Sequence, residues 1–77
     1  MTLLAASGCH LCDRARQELE ALRRELGFEL VEVDIGGRPE LERAYRNLIP
    51  VIEVEGERVS VYRVDEPALR TRLAAAP

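Results

Sequence analysis

Apolar positions recur along this chain with two different periods, and the changes of period mark out the elements. Over residues 9–26, "CHLCDRARQELEALRREL", Leu11, Ala15, Leu19, Leu22 and Leu26 follow in steps of four, four, three and four, the spacing of one helix face. Cys12 falls on the same side, three residues before Ala15, while Arg14, Arg16, Glu18, Glu20, Arg23 and Arg24 take the rest of the surface. Gly27 follows the last leucine, where a left-handed residue commonly stops a helix. The period then changes. Residues 28–35, "FELVEVDI", alternate for much of their length and are rich in Val and Ile, which predicts a strand. Ahead of the helix, residues 2–6, "TLLAA", form a short apolar run suited to a buried strand.

The second half repeats the alternation of strand and helix. "GGRP" is a turn, and Pro39 fits the first turn of a second helix whose apolar stripe would be Leu41, Ala44, Tyr45 and Leu48. "VIEV" and "RVSVY" flank "EGE" and predict an antiparallel hairpin with Gly56 in the tight turn. Asp65 suits the cap of a last helix, Pro67 its first turn, and Leu69 and Leu73 its inner face. The order is β-α-β-α-β-β-α. A strand–helix–strand unit needs a parallel pair, with a right-handed crossover strongly preferred. The hairpin adds antiparallel strands. The expectation is an α/β fold, one domain over residues 1–77, with a mixed four-stranded sheet and helices on both faces. That order resembles the thioredoxin topology in its smallest form.

Composition narrows the setting more than the fold. Seventy-seven residues make one domain near the lower limit for a self-supporting core, and 47% apolar residues supply enough material for one. A net charge of −3 gives no basic footprint for nucleic acid or an anionic membrane. The basic residues are all Arg, and Gln17 and Asn47 are the only side-chain amides, a pattern that reads as coding bias. No apolar run nears the roughly 18 residues of a membrane span. "LLAASGC" has the look of a lipoprotein cleavage box, but no Lys or Arg precedes it and cleavage there would remove the first strand. The expected location is the cytoplasm, where thiols are kept reduced. The expected state is a monomer, since no long exposed apolar surface forces association.

The chemistry lies in "SGCHLCDRARQEL", which holds both cysteines and the only histidine. A Cys-x-x-Cys beside a strand–helix–strand pattern is a redox signal. On a first helical turn, residues i and i+3 stand on one side, near enough for their sulfurs to bond. Cys9 would sit at the exposed tip and Cys12 one turn inside, on the apolar face. The helix N-terminus carries about half a positive charge and unpaired N–H groups, so Cys9 should fall below the free thiol value of about 8.5. Cys9 would then attack a substrate disulfide and Cys12 would resolve the mixed disulfide. His10 either raises the positive potential when protonated or is a solvent-facing residue of the loop. Asp13 is either a proton carrier for Cys12 or one of the acids common in a first helical turn. In "NLIPVIEV", Pro50 stands directly before a predicted central strand, a position proline tolerates only at the start of that strand. The alternative is a trans proline that merely ends the second helix.

Taken together, "GCHLCDRARQEL", "YRNLIPVIEVEGE" and the element order resemble the glutaredoxin-like branch of the thioredoxin superfamily, in particular small bacterial proteins with a Cys-His-Leu-Cys site. The resemblance covers essentially the whole chain. It implies Cys9 as nucleophile, Cys12 as resolving thiol and Pro50 as a cis-proline facing them, with the Ile49 backbone contacting substrate. The middle of the motif is His10 and Leu11 where typical glutaredoxins have Pro and Tyr. Ala5, Ala6, Ser7 and Gly8 fill the region where those proteins carry a basic residue. "YRVDEP" stands where they carry a Gly-Gly pair and an acidic stretch; the glycines are missing, while Asp65 and Glu66 supply acid, with Asp65 the candidate for substrate binding. Arg43, Arg46 and Arg63 are either carboxylate-binding candidates or a solvated face.

Three functions follow from this. The first is a thiol–disulfide oxidoreductase or electron carrier without a resident cofactor. Its substrate would be a disulfide-bearing protein or small molecule, and its electrons would come from glutathione, as reductant or co-substrate, or from a thioredoxin-reductase-type donor. The second is metal or iron–sulfur binding through the Cys-x-x-Cys of a dimer; a single pair of thiolates gives one chain only two ligands, and no metal site is assigned within it. The third is a non-catalytic interaction module, since fold does not fix function.

Overall fold

A computed structural model describes residues 1–75; the last two positions of the domain expected over 1–77 lie outside the described residues. The elements in chain order are β1 (Thr2–Ala5), α1 (His10–Leu26), β2 (Val31–Asp34), α2 (Pro39–Tyr45), β3 (Val51–Val54), β4 (Glu57–Val61) and α3 (Glu66–Ala75). The sheet order is β2-β1-β3-β4, with β1 parallel to β2 and antiparallel to β3, and β3 antiparallel to β4. This is the mixed α/β sheet of a minimal thioredoxin fold.

Side-chain alternation along the central strands splits the core in two. Leu3 and Ala5 point to one face, where they meet Cys12, Ala15, Leu19 and Leu22 of α1, Leu69 of α3, and Ile52 and Val54 of β3. Leu4 and Val51 point to the other, where Ile35 joins them and Leu41 and Tyr45 of α2 lean on the cluster. Thus α1 and α3 cover one face and α2 the other. The alternation of period two does this unaided: one residue of slip in β1 would exchange the two cores.

The ends of the elements have local causes. Gly27 stops α1 at φ 78°, its N–H bonding to the Arg23 carbonyl at 2.8 Å. The hairpin turns on Glu55 and Gly56, both at positive φ, the conformation a two-residue hairpin loop demands. A register shift between Ile52 and Glu53 then leaves Val59 as the extra residue of a bulge in β4. β2 is shorter than the expected 28–35, because the strand it pairs with, β1, spans only Thr2–Ala5: the ladder opens with the Val31 N–H on the Met1 carbonyl and closes with the Ile35 N–H on the Ala5 carbonyl. Phe28 and Leu30 pack on the first core without pairing.

Two stripes differ from their sequence patterns. Leu11 and Leu26, the ends of the α1 stripe, are 51% and 38% exposed. At about 1.5 Å per residue the 17 residues of α1 span about 25 Å, whereas four-residue strands reach about 13 Å. The helix overhangs the sheet at both ends, and only Cys12 to Leu22 can be buried. In α2, Ala44 is exposed and Leu48 lies beyond the helix, which ends at Tyr45. A two-turn helix meets the sheet through Leu41 and Tyr45, four apart, and Ala44 falls off that seam. No helix among the described residues is long and apolar enough to cross a membrane.

The overhang makes a testable contrast. Leu19, fully buried, should cost about 3 kcal/mol when replaced by Ala, while Leu11→Ala should stay within about 0.5 kcal/mol of the parent. Urea denaturation of both variants measures the difference, and equal losses would contradict this placement of α1.

Candidate active site

Three connections meet at one end of the sheet. β1 leaves it at Ala5 and reaches Cys9 through a short turn. β3 enters it from Ile49 and Pro50, because Leu4 pairs with Val51. β4 leaves it at Tyr62, whose N–H donates to the Pro50 carbonyl at 2.8 Å and more weakly to Leu48 at 3.3 Å. It is also the carboxyl end of the parallel pair β1 and β2, where open α/β sheets place their ligands. The Ile49–Pro50 peptide is cis. Pro50 is buried, and Ile49 is half-buried and touches both cores.

Cys9 is the N-cap of α1, with extended backbone (φ −106°, ψ 110°). Its Sγ accepts the Cys12 N–H at 3.1 Å, the part an Asp or Ser oxygen usually plays, and its carbonyl takes the Asp13 N–H at 3.0 Å. The sulfur therefore stands among the unpaired N–H groups of a 17-residue helix, at the positive end of its dipole. Cys12 is one turn further in and fully buried, in the cluster with Ala15 and Leu3, while Cys9 is only partly buried. The two are joined as a disulfide, their Cα atoms 5.2 Å apart. One sulfur is thus reachable from solvent and the other is shielded.

The neighbouring polar residues sort by what they touch. His10 is exposed on the first helical turn and makes no side-chain hydrogen bond among the described residues. The Asp13 carboxylate is engaged by Arg16 at 2.8 Å; the same guanidinium holds Glu32 of β2 through two 2.7 Å bonds. Those carboxylates, Glu32 first, raise the Arg16 pKa above its ordinary range. Asp13 is therefore one arm of a surface clamp between the first turns of α1 and the edge strand β2. Asp65 caps α3, its Oδ1 accepting the Ala68 N–H at 3.1 Å, and lines a hollow with Arg58 and Arg72. A separate hollow is lined by Leu11, Tyr62 and Val64. The structure thus brings Leu11, between the two cysteines in sequence, to Tyr62 and takes Asp65 to another opening. The sequence pattern places Tyr62 only at the end of the strand "RVSVY"; β4 ends one residue earlier, at Val61, and Tyr62 stands just beyond it at the hollow. Among the described residues no group of three or more His, Cys, Asp or Glu is placed to hold a metal ion.

A thioredoxin-type sheet with a Cys-x-x-Cys at the N-terminus of its first helix defines a class of thiol-bearing domains. Comparison with known proteins makes the assignment specific. The family model described as Glutaredoxin-like domain (DUF836) matches residues 1–74, both cysteines included, and the chain belongs to that family. The uncharacterized protein Rv0508 of Mycobacterium tuberculosis is 34% identical, over 94% of this chain and 79% of its own, as is Mb0520 of Mycobacterium bovis. The solution structure of protein Ne2328 from Nitrosomonas europaea superposes with a TM-score of 0.80 at 27% identity, covering 92% of this chain and 86% of that one. An X-ray structure of the target protein XcR50 from X. campestris gives 0.72 at 37% identity, over 99% and 97% of the two chains.

The cap assigned to Asp65 can be checked directly. Asp65→Ala should destabilise the fold by about 1 kcal/mol, and Asp65→Ser should recover most of that. Thermal denaturation reads both. A variant of unchanged stability would remove the capping role.

Proposed function

We propose that this protein is a dithiol thiol–disulfide oxidoreductase. The observation that carries the reading is the asymmetry of the two sulfurs: Cys9 is partly exposed and accepts a backbone N–H at a helix N-terminus, while Cys12 is fully buried one turn behind it. The Cys9 thiolate attacks one sulfur of a substrate disulfide. A Cys9–substrate disulfide forms, and the other half of the substrate leaves as a thiolate that takes up a proton. The Cys12 thiol loses its proton and attacks Cys9 Sγ, closing the Cys9–Cys12 bridge and expelling the second substrate thiol. Two electrons pass from the dithiol to the substrate. An external thiol donor, glutathione or a thioredoxin-reductase-type system, reopens the bridge.

Ile49 and Pro50 serve this reaction as the backbone edge along which substrate lies. Both sulfurs come from one chain, so the cycle needs no second copy and no resident cofactor, and the protein works as a monomeric single domain. A reducing compartment, the cytoplasm, supplies the donor. Membership of the glutaredoxin-like family supports the reading.

Two variants test it. Cys9→Ser should lower disulfide reduction to the uncatalysed rate. Cys12→Ser should accumulate a mixed disulfide between Cys9 and the substrate, visible as added mass that dithiothreitol removes. A Cys9→Ser protein that reduces disulfides as the parent does would instead make the domain a binding module whose thiols are inert.

A further inference from the structure

Tyr62 is a bulky residue in a conformation that suits glycine. Its φ is 70°, which costs free energy for a side chain with a Cβ. Burial does not offset that cost: the ring is 49% exposed and belongs to neither core. The backbone around it is nonetheless pinned. The Tyr62 N–H is held by the Pro50 carbonyl, and the Ser60 hydroxyl donates to the Arg63 carbonyl at 2.8 Å. A strained, fixed main chain therefore presents an aromatic ring outward, directly across from the proline that precedes β3.

Tyr62 shares a surface hollow with a second exposed apolar side chain. Leu11, 51% exposed and set between the two cysteines in sequence, lines the same surface hollow of about 440 Å³, together with Ala15, Val64, Arg14, Glu18 and Arg63. Leu11 and Tyr62 are two of the three large apolar side chains about half exposed among the described residues; the third is Val31. Arg14 is engaged with Glu18 at 3.2 Å, whereas Arg63 forms no ion pair among the described residues. The hollow thus combines four apolar side chains with the Arg14–Glu18 pair and with Arg63, which has no ion-pair partner among the described residues, and it includes a residue of the cysteine motif.

We infer that Leu11 and Tyr62 form a specificity surface that selects disulfides borne on a polypeptide segment with an apolar side chain next to its cysteine and an acidic residue beyond it. The inference rests on the oxidoreductase reading and deepens it. The apolar neighbour of the attacked cysteine fills the space between Leu11 and Tyr62, and the acidic residue meets Arg63. A main chain held in place before the substrate arrives loses no freedom on binding, which is the return on holding Tyr62 in a strained conformation. The redox balance is unchanged: Cys9 and Cys12 give up two electrons and two protons, and the peptide disulfide becomes two thiols.

The test uses the whole reduced chain in single turnovers with three symmetrical disulfides: hydroxyethyl disulfide, the peptide Ac-Glu-Leu-Cys-Leu-Glu-amide, and the same peptide with serines for leucines. The parent protein should reduce the leucine peptide about tenfold faster than the serine peptide, the gain expected from covering one apolar side chain. Leu11→Ser and Tyr62→Gly should each bring that ratio close to one. Comparing two peptides on one variant cancels any change in the potential of the cysteine pair. Val31→Ser, on the far edge strand, should leave the ratio as it was. Replacing the glutamates by lysines should slow the parent, and Arg63→Glu should reverse that preference. Thermal denaturation should find Tyr62→Gly as stable as the parent or more so, because glycine relieves the positive φ; a clear loss of stability would make Tyr62 a structural residue and overturn the proposal. Equal rates for the two peptides in the parent, or a ratio that survives Leu11→Ser and Tyr62→Gly, would also overturn it while hydroxyethyl disulfide is still reduced. If none of the three disulfides is reduced, the oxidoreductase reading fails and takes this inference with it.

Discussion

Strand β1 carries more of this molecule than its four residues suggest. It bonds to β2 on one side and β3 on the other, and its side chains enter both cores: Leu3 and Ala5 are fully buried on one face, Leu4 nearly so on the other. No other strand pairs with both halves of the topology. The strand also sets the aim of the chemistry, because the chain leaves it three residues before Cys9. Once Leu3 and Ala5 are committed to the face that α1 covers, Cys12 must enter that core and Cys9 must sit at its edge. The asymmetry of the two thiols is thus a consequence of strand register, transmitted through a short turn.

A sulfur acting as a helix cap couples fold and reactivity in one contact. The N–H of Cys12 would otherwise be one of the helix's unpaired donors. Given to Cys9 Sγ, it finishes the helix and places a backbone donor on the sulfur assigned the attacking role in the proposed reaction. The polar residues nearby belong to the scaffold: Asp13 and Arg16 tie α1 to the edge strand, and Asp65 finishes α3. Surface ion pairs of this kind contribute little to stability.

Much of this was legible in the sequence, and what was not has physical causes. The 3.6-residue period of α1 and the period-two strands gave the element order, Gly27 and Gly56 marked a helix end and a hairpin, and the Cys-x-x-Cys spacing with "IPV" pointed to the family. The ends of the apolar stripe misled. Periodicity assigns Leu11 to a face, but burial needs a sheet long enough to lie under it, and length is a property of the partner strands. Ala44 misled for a related reason, since a two-turn helix touches the sheet through fewer positions than its stripe contains. Tyr62 could not be read at all. Its role depends on a positive φ and on the Pro50 carbonyl opposite, and neither leaves a trace in a tyrosine that ends an alternating strand.

The central claim is that the end of α1 holds Cys9 as a thiolate near neutral pH. The rate of iodoacetamide alkylation against pH, in metal-free Cys12→Ser protein, tests it most directly. That substitution frees Cys9 and keeps the N–H at position 12. A midpoint more than about one unit below the free-thiol value of about 8.5 is the predicted result. A midpoint at or above that value would mean the cap and the helix terminus do not activate the sulfur, and the account of Cys9 as the attacking group would fail.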